Sequence, residues 1–342
     1  MTDELPEIHN HHPYLMYKMI KETPNALRKT LTAVDNVDIS FKRGCLTVTG
    51  NGTSFHAGML GFQGIEGQNS KWNGIQSYEL EKYRDPFPNI LAISHTGKTH
   101  STIQSILKNP ESNSIGITHD KDSPMAEAVD IPIIIPEKDT SLCNTKAFFD
   151  NVLASAIVSR KFSAESYNFN GLVNTVSDSL SEADGIMKSI VEELPDIHNI
   201  FVLGAGNNYY AARESAQKLK EATHIHSEGI EMEEYNHGCT SVTDKSTLIL
   251  IISNGEDKER VKQISDGIRY VNATSVVIGG EGDFSVEVDY KNNFELPIQA
   301  MAYTYLLAYY MAVKMHINPD ILRLDEKSYY DFDMAIFPPG HH

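Results

Sequence analysis

The chain has 342 residues, 41% of them hydrophobic and 22% charged, and a formal charge of −17 at neutral pH. That length accommodates two domains of about 150 residues. The acidic excess argues against a nucleic-acid partner or an anionic membrane surface, so an anionic ligand would be held by local amides and hydroxyls. Cys45, Cys143 and Cys239 show no CxxC spacing, which makes a reduced, cytoplasmic setting the expectation. The N-terminus is acidic and reads as no secretory leader. His9, His11 and His12 have no acidic or cysteine partner at ligand spacing, so no metal is expected. The longest apolar run, Met301 to Val313, is too short to span a bilayer.

In chain order, residues 13–34 carry the apolar period of a helix, with a break predicted at Pro24. A β-branched run at 46–49 then meets Gly50-Asn51-Gly52 and opens a helix over 54–64. Such a junction leaves amides free at the helix start, a ready anion site. Gly52 lets the backbone approach a ligand, and Thr53 and Ser54 can donate directly. Many α/β chains have a Gly-rich first turn with no such role. The same device recurs at 90–99, I-L-A-I-S-H-T-G-K-T, where Ser94, Thr96 and Thr99 surround Gly97. One helix cap needs a single hydroxyl, and three in six residues exceed that. Further strands are expected at 114–118 and 131–135, and helices at 99–108, 123–128 and 144–162. This alternation indicates parallel βαβ units. Residues 163–171 read as a linker.

The pattern then restarts. A helix is expected over 173–194, a strand at 199–203 ending in G-A-G-N-N, a helix over 209–223, strands at 247–252 and 274–278, a buried helix over 298–315 and a polar tail. This reads as an internal duplication. The second copy has I-S-N-G-E-D-K-E in place of I-S-H-T-G-K-T, so one phosphate pocket per chain is expected, in the first half. Glu214, Lys218 and Glu221 stand at i, i+4 and i+7 and share one helix face. A solvated, salt-bridged face is the plain reading of that spacing. His237 precedes Gly238, a position more often structural than catalytic. Together, a carboxylate, an amine and an imidazole suit proton transfer at a sugar carbon.

These motifs resemble those of the sugar isomerase (SIS) domain superfamily, and within it the isomerase half of the glutamine–fructose-6-phosphate aminotransferases (glucosamine-6-phosphate synthases). G-N-G-T-S-F-H-A-G is similar to the family's C-G-T-S-Y-H-A-G, and Ser94 to Thr99 to S-Q-S-G-E-T, with His95 replacing a glutamine. Cys143 to Ala147 is similar to A-S-T-K-A, Gln217 to Glu221 to L-K-L-K-E, and Asn236-His237-Gly238-Cys239 to a K-H-G-P loop. The resemblance covers nearly all of residues 15 to 320. It implies an α/β fold of two tandem SIS domains, each a flavodoxin-like, doubly wound parallel sheet. Residues 35–165 would form the first and 172–316 the second, flanked by a helical segment at 1–34 and a tail at 317–342.

The resemblance also implies roles. Gly52, Thr53, Ser54, Ser94, His95, Thr96, Thr99 and Asn144 would bind a sugar phosphate. Glu221 would move a proton between C1 and C2, assisted by Lys218. His237, donated across a homodimer with composite active sites, would help open the ring. Lys327 stands near the slot of the family's tail lysine, three residues beyond Leu324. No cofactor is implied. The family's glutaminase domain is not matched, so glutamine is not expected as a direct ammonia source. The reaction expected is aldose–ketose isomerisation with amination or deamination of an amino-sugar phosphate, as between glucosamine 6-phosphate and fructose 6-phosphate. The alternatives are a fructosamine-6-phosphate deglycase, which would not need the tail lysine, and a non-catalytic sugar-phosphate sensor.

Overall fold

A computed structural model describes residues 9–39, 44–63, 71–163 and 166–337. Helix α1 (Leu15–Asp35) comes first. The first sheet follows, made of β1 (Leu46–Thr49), β2 (Trp72–Gly74), β3 (Asn89–Ile93), β4 (Asn113–Thr118) and β5 (Ile131–Ile134). Its connections carry α2 (Gly52–Gln63), α3 (Ser77–Lys82), α4 (His100–Leu107) and α5 (Pro124–Ala128), and α6 (Lys146–Ser163) follows it. After α7 (Phe169–Glu193) comes the second sheet, with β6 (Asn199–Gly204), β7 (His226–Glu231), β8 (Thr247–Ile252), β9 (Thr274–Ile278) and β10 (Phe284–Val286). It is joined by α8 (Asn208–Thr223) and α9 (Lys258–Ile268), and α10 (Glu295–Lys314) and α11 (Lys327–Ile336) complete the chain.

Every strand pair is parallel, and the orders are β2-β1-β3-β4-β5 and β7-β6-β8-β9-β10. Both are the order 2-1-3-4-5 of doubly wound sheets. Parallel strands are covered on both faces, which is why β3 (N-I-L-A-I) and β8 (T-L-I-L-I-I) are buried at every residue and show no alternation.

The chain divides into two compact units. One holds the first sheet, within Glu22–Asp139, Asn144–Val173 and Arg323–His342; the other holds the second, within Met1–Lys21, Thr140–Cys143 and Asn174–Leu322. In the first, α2 packs on α6, which buries nearly its whole circumference. In the second, α8 packs on α10 in the same manner. In both, a polar side chain on a buried helix is cut off from solvent, so a polar atom left unpaired there is costly.

Four expectations need correction. Helix α1 runs on through Pro24. Burial of Met16, Ile20, Leu27 and Val34 on both sides of it outweighs the one backbone bond that proline removes. The linker expected at 163–171 is shorter, since α6 includes Ser163 and α7 begins at Phe169; residues 164–165 lie outside the described residues. The polar tail contains α11. The sequence reading also passed over β2, α3, β7, α9 and β10, of which β7 (H-S-E-G-I-E) has no apolar run to announce it. Residue 64, the end of an expected helix, and the terminal 338–342 lie outside the described residues.

Candidate functional site

In a 2-1-3-4-5 sheet the chain reverses its winding between the first and third strands, and ligands bind beyond the carboxyl ends of those strands. The loops after β1 and β3 meet there. A Cβ on Gly50 would lie 3.0 Å from the Ile93 carbonyl oxygen, so a larger residue would crowd the two strand ends where they approach. Asn51 Nδ2 donates to Ser101 Oγ at 2.7 Å, tying the first loop to the first turn of α4. Gly52 has a left-handed φ of 49° and begins α2. Thr53 is buried and Ser54 half-buried on that helix's first turn.

The second loop folds on its own hydroxyls. Ser94 Oγ lies 2.9 Å from Thr99 Oγ1 and accepts the Gly97 amide at 3.1 Å. Thr96 Oγ1 accepts the Lys98 amide at 3.3 Å. Gly97 has φ of 68°, and a Cβ there would come within 2.1 Å of Ser123 Oγ. Thr99 is the N-cap of α4, yet its side chain makes no cap hydrogen bond. The capping explanation of this cluster therefore fails: the hydroxyls are gathered in front of the helix start and are not spent on it.

His95 joins this loop to the start of α6. Its Nε2 accepts the Asp139 amide at 3.1 Å, which assigns the proton to Nδ1. The Asp139 carboxylate in turn accepts the amides of Thr145 at 2.8 Å and Ala147 at 3.1 Å, and Asn144 lies in that turn. Burial pushes the His95 imidazole down to about 3, with His119, Lys146 and Lys138 acting in the same direction. It is a neutral ring near physiological pH. Burial and Lys138 also lower His119, whose ring centroid is 5.0 Å from that of His95. Lysines 138 and 146 both disfavour a proton on His95, in a chain of net charge −17. The sequence reading assigned neither of them. Lys146 stands inside the T-K-A motif and is buried, with its Nζ 2.9 Å from Glu22 Oε2.

The unit of the second sheet carries the titratable cluster. The spacing of Glu214, Lys218 and Glu221 on α8 does place them together, but their face is covered. Glu214 and Lys218 are buried, and the Glu221 side chain is 22% exposed. Lys218 Nζ lies 2.6 Å from Glu221 Oε2 and 3.8 Å from Glu214 Oε1. Tyr305 of α10 donates to Glu214 Oε1 at 3.2 Å, and Gln217 Nε2 donates to Glu221 Oε1 at 2.8 Å. Burial alone would push the Lys218 ammonium down; the Glu221 and Glu214 carboxylates more than reverse this and hold it well above the ordinary lysine value. A buried cation flanked by two acids is costly to leave incomplete, about 3–5 kcal/mol when one partner is removed. The plain reading of a solvated face is therefore corrected.

His237 is not part of this hydrogen-bonded cluster among the described residues. It ends the 3₁₀ turn Glu234–Asn236, is exposed, and lines an open cavity of about 530 Å³ with Asn199, Phe201, His226 and Glu228. Among the described residues no hydrogen bond or ion pair joins its side chain to Glu221. Lys327 begins α11 with its side chain 85% exposed and paired to Asp331 at 2.6 Å. Among the described residues no cluster of His, Cys, Asp and Glu could hold a metal ion, and no helix is long and apolar enough to cross a membrane.

The SIS domain family profile matches residues 193–318. The glutamine–fructose-6-phosphate aminotransferase of Sulfolobus acidocaldarius is 28% identical over 329 residues, covering 90% of this chain and 55% of that protein. The enzyme of the same name from Sulfurisphaera tokodaii is 26% identical over 333 residues, with the same coverage. The chain thus spans about half the length of these curated relatives. Among solved structures, the C-terminal domain of glucosamine-fructose-6-phosphate aminotransferase from Francisella tularensis superposes with a TM-score of 0.78 at 22% identity, covering 90% of this chain and 98% of that one. Glucosamine-6-phosphate deaminase from Thermotoga maritima gives 0.77 at 22% identity, covering 90% and 97%. At such identities the two structures speak to the fold.

Proposed function

From the SIS domain present over residues 193–318, we propose that this chain is an enzyme that isomerises a phosphorylated sugar between aldose and ketose, with loss or gain of an amino group. The observation that carries the proposal is the buried Glu214–Lys218–Glu221 cluster, with Glu221 its partly exposed member. A carboxylate beside a fixed ammonium can take a proton from one sugar carbon and return it to the next. The substrate's own carbonyl or imine acidifies that C–H bond, so the route calls for no metal and no redox partner. The phosphate is assigned to Ser94, Thr96, Thr99 and the start of α4, and the sugar to Gly52, Thr53, Ser54, His95 and Asn144.

We extend the proposal to the first half of the chain as a second SIS domain, supported by the shared strand order. The boundaries are 35–165 and 172–316, between the segments 1–34 and 317–342. The preferred substrates are glucosamine 6-phosphate and fructose 6-phosphate, and these sugar phosphates are the relatives' stated chemistry. Cleavage of a fructosamine 6-phosphate is the second reading. The exposure of Lys327 favours it, since that reaction does not call on a tail lysine. A panel of phosphosugars and fructosamine phosphates separates the two: free ammonia or aldose–ketose exchange marks the first, a released amino acid the second, and turnover of neither class refutes both.

We assign His237 to the site of a partner subunit, supported by its exposure and by the lack, among the described residues, of a hydrogen bond or ion pair from its side chain to Glu221. Mixing inactive Glu221→Gln with inactive His237→Ala should then restore activity. Random exchange makes half the dimers mixed, each with one complete site, so about a quarter of the parent rate is expected. No recovery after demonstrated exchange would remove the trans assignment.

A further inference from the structure

We propose that Gln217 is a positioning residue for the Glu221 carboxylate; this rests on the reading of Glu221 as the proton carrier. Glu221 receives two donors, one on each oxygen: Lys218 Nζ on Oε2 at 2.6 Å and Gln217 Nε2 on Oε1 at 2.8 Å. The amide orientation is fixed by chemistry, because only the NH₂ end of glutamine can donate to a carboxylate. The donors come from adjacent positions on α8 and reach Glu221 from i−4 and i−3. They grip the carboxylate from two directions and stop its rotation about the last side-chain bond, a torsion that is otherwise broad.

Each oxygen keeps a second lone pair. With both oxygens held, the direction of those lone pairs is set before substrate arrives. The ammonium alone cannot do this. A single donor leaves the carboxylate free to pivot about the bonded oxygen, and the 22% exposure of Glu221 leaves room for that motion. Gln217 is itself only half-buried, and its backbone is secured within the helix. Its side chain is therefore more easily replaced than Glu214 or Lys218. Proton transfer at carbon is sensitive to such alignment, and a displacement of about 1 Å can cost on the order of 10²-fold in rate.

The test replaces the amide by a side chain of similar length that cannot donate. Gln217→Met keeps an unbranched, helix-favouring residue, and Gln217→Leu repeats the change with a second apolar group. On the phosphosugar that the parent turns over, both variants are expected to lose about tenfold or more in kcat with KM within about twofold. Substrate deuterated at the carbon that loses its proton should show a larger isotope effect on kcat than in the parent, because proton transfer becomes the slow step. A merely structural role would not move the isotope effect. Parent-like kcat and isotope effect in both variants overturn the inference, as does a change confined to KM. Glu221→Gln run in parallel separates the two levels: if it is inactive and Gln217→Met is unimpaired, only the positioning role falls. If Glu221→Gln retains the parent rate, the proton-carrier reading falls and the positioning role with it.

Discussion

The two sheets share one strand order, yet the same two places on them carry opposite chemistry. After β3, Ser94 Oγ meets Thr99 Oγ1 and accepts the Gly97 amide. At the matching place after β8, Ser253 Oγ donates to Asp257 and accepts the Gly255 amide at 3.2 Å. The frame is the same, but a carboxylate stands where the other loop has a hydroxyl, and Glu256 adds a second. The helices reverse the pattern. Helix α2 buries no carboxylate or ammonium, whereas its counterpart α8 buries Glu214 and Lys218. One loop presents hydroxyl and amide donors; the helix of the other unit presents fixed carboxylates beside an ammonium. Repetition of a fold does not repeat a site, and under the proposed function it would separate holding an anion from moving a proton.

The largest test of that division falls on α8. Glu221→Gln keeps size and hydrogen bonding but removes the proton acceptor, so turnover is expected to fall by about 10²-fold or more with substrate binding retained. Steady-state kinetics beside a direct binding measurement decides it, and a near-parent rate would end the division of labour.

The next test moves the acidic feature across. Thr99→Asp installs in the first loop the carboxylate that the second loop already has. Opposed like charges cost several kcal/mol, so phosphosugar affinity is expected to drop by at least about 100-fold. Thr96→Val is milder: one hydrogen bond to a charged group is worth about 1.5–3 kcal/mol, and the exposed Thr96 accepts the Lys98 amide. Titration calorimetry ranks the two, and equal affinity in parent and both variants would place the phosphate elsewhere.

What the sequence showed of this follows from distance along the chain. The hydroxyls of 94–99 are local, and so is the i, i+4, i+7 spacing on α8. Whether that spacing is a wet face or a buried cluster depends on Tyr305, 91 residues from Glu214. The tie from His95 to Asp139 crosses 44 residues, so the rim joining the loop to α6 was not legible either. The strands buried on both faces were legible as apolar runs. The edge strand β7 was not, because a half-covered polar strand has neither a run nor a period.

A smaller effect contrasts the two closing helices. Burial pushes the Asp150 carboxyl of α6 up to about 8, although the Thr30 hydroxyl 2.8 Å from Oδ1 pulls the other way, and Oδ2 is buried without a partner. A carboxyl raised above its unfolded value binds its proton more tightly in the folded state. Its stabilising contribution is complete below about pH 4 and is lost as pH rises towards about 8. Asp150→Asn should flatten that fall. Melting of the parent is expected to drop by a few degrees more than that of the variant between pH 5.5 and 8. Parallel curves would show that Asp150 is charged throughout.

The smallest expected effect is none. Asp257→Thr gives the second loop the hydroxyl pair of the first, while Glu256 remains and no histidine or threonine takes the places of His95 and Thr96. If anion binding needs the whole arrangement, calorimetry should still find a single phosphosugar per chain, and KM should stay within about twofold of the parent. If one carboxylate is all that distinguishes the loops, the variant should take up a second phosphate. A parent that already binds two would mean that the acidic loop is no barrier, and the contrast drawn from its side chains would fail at its root.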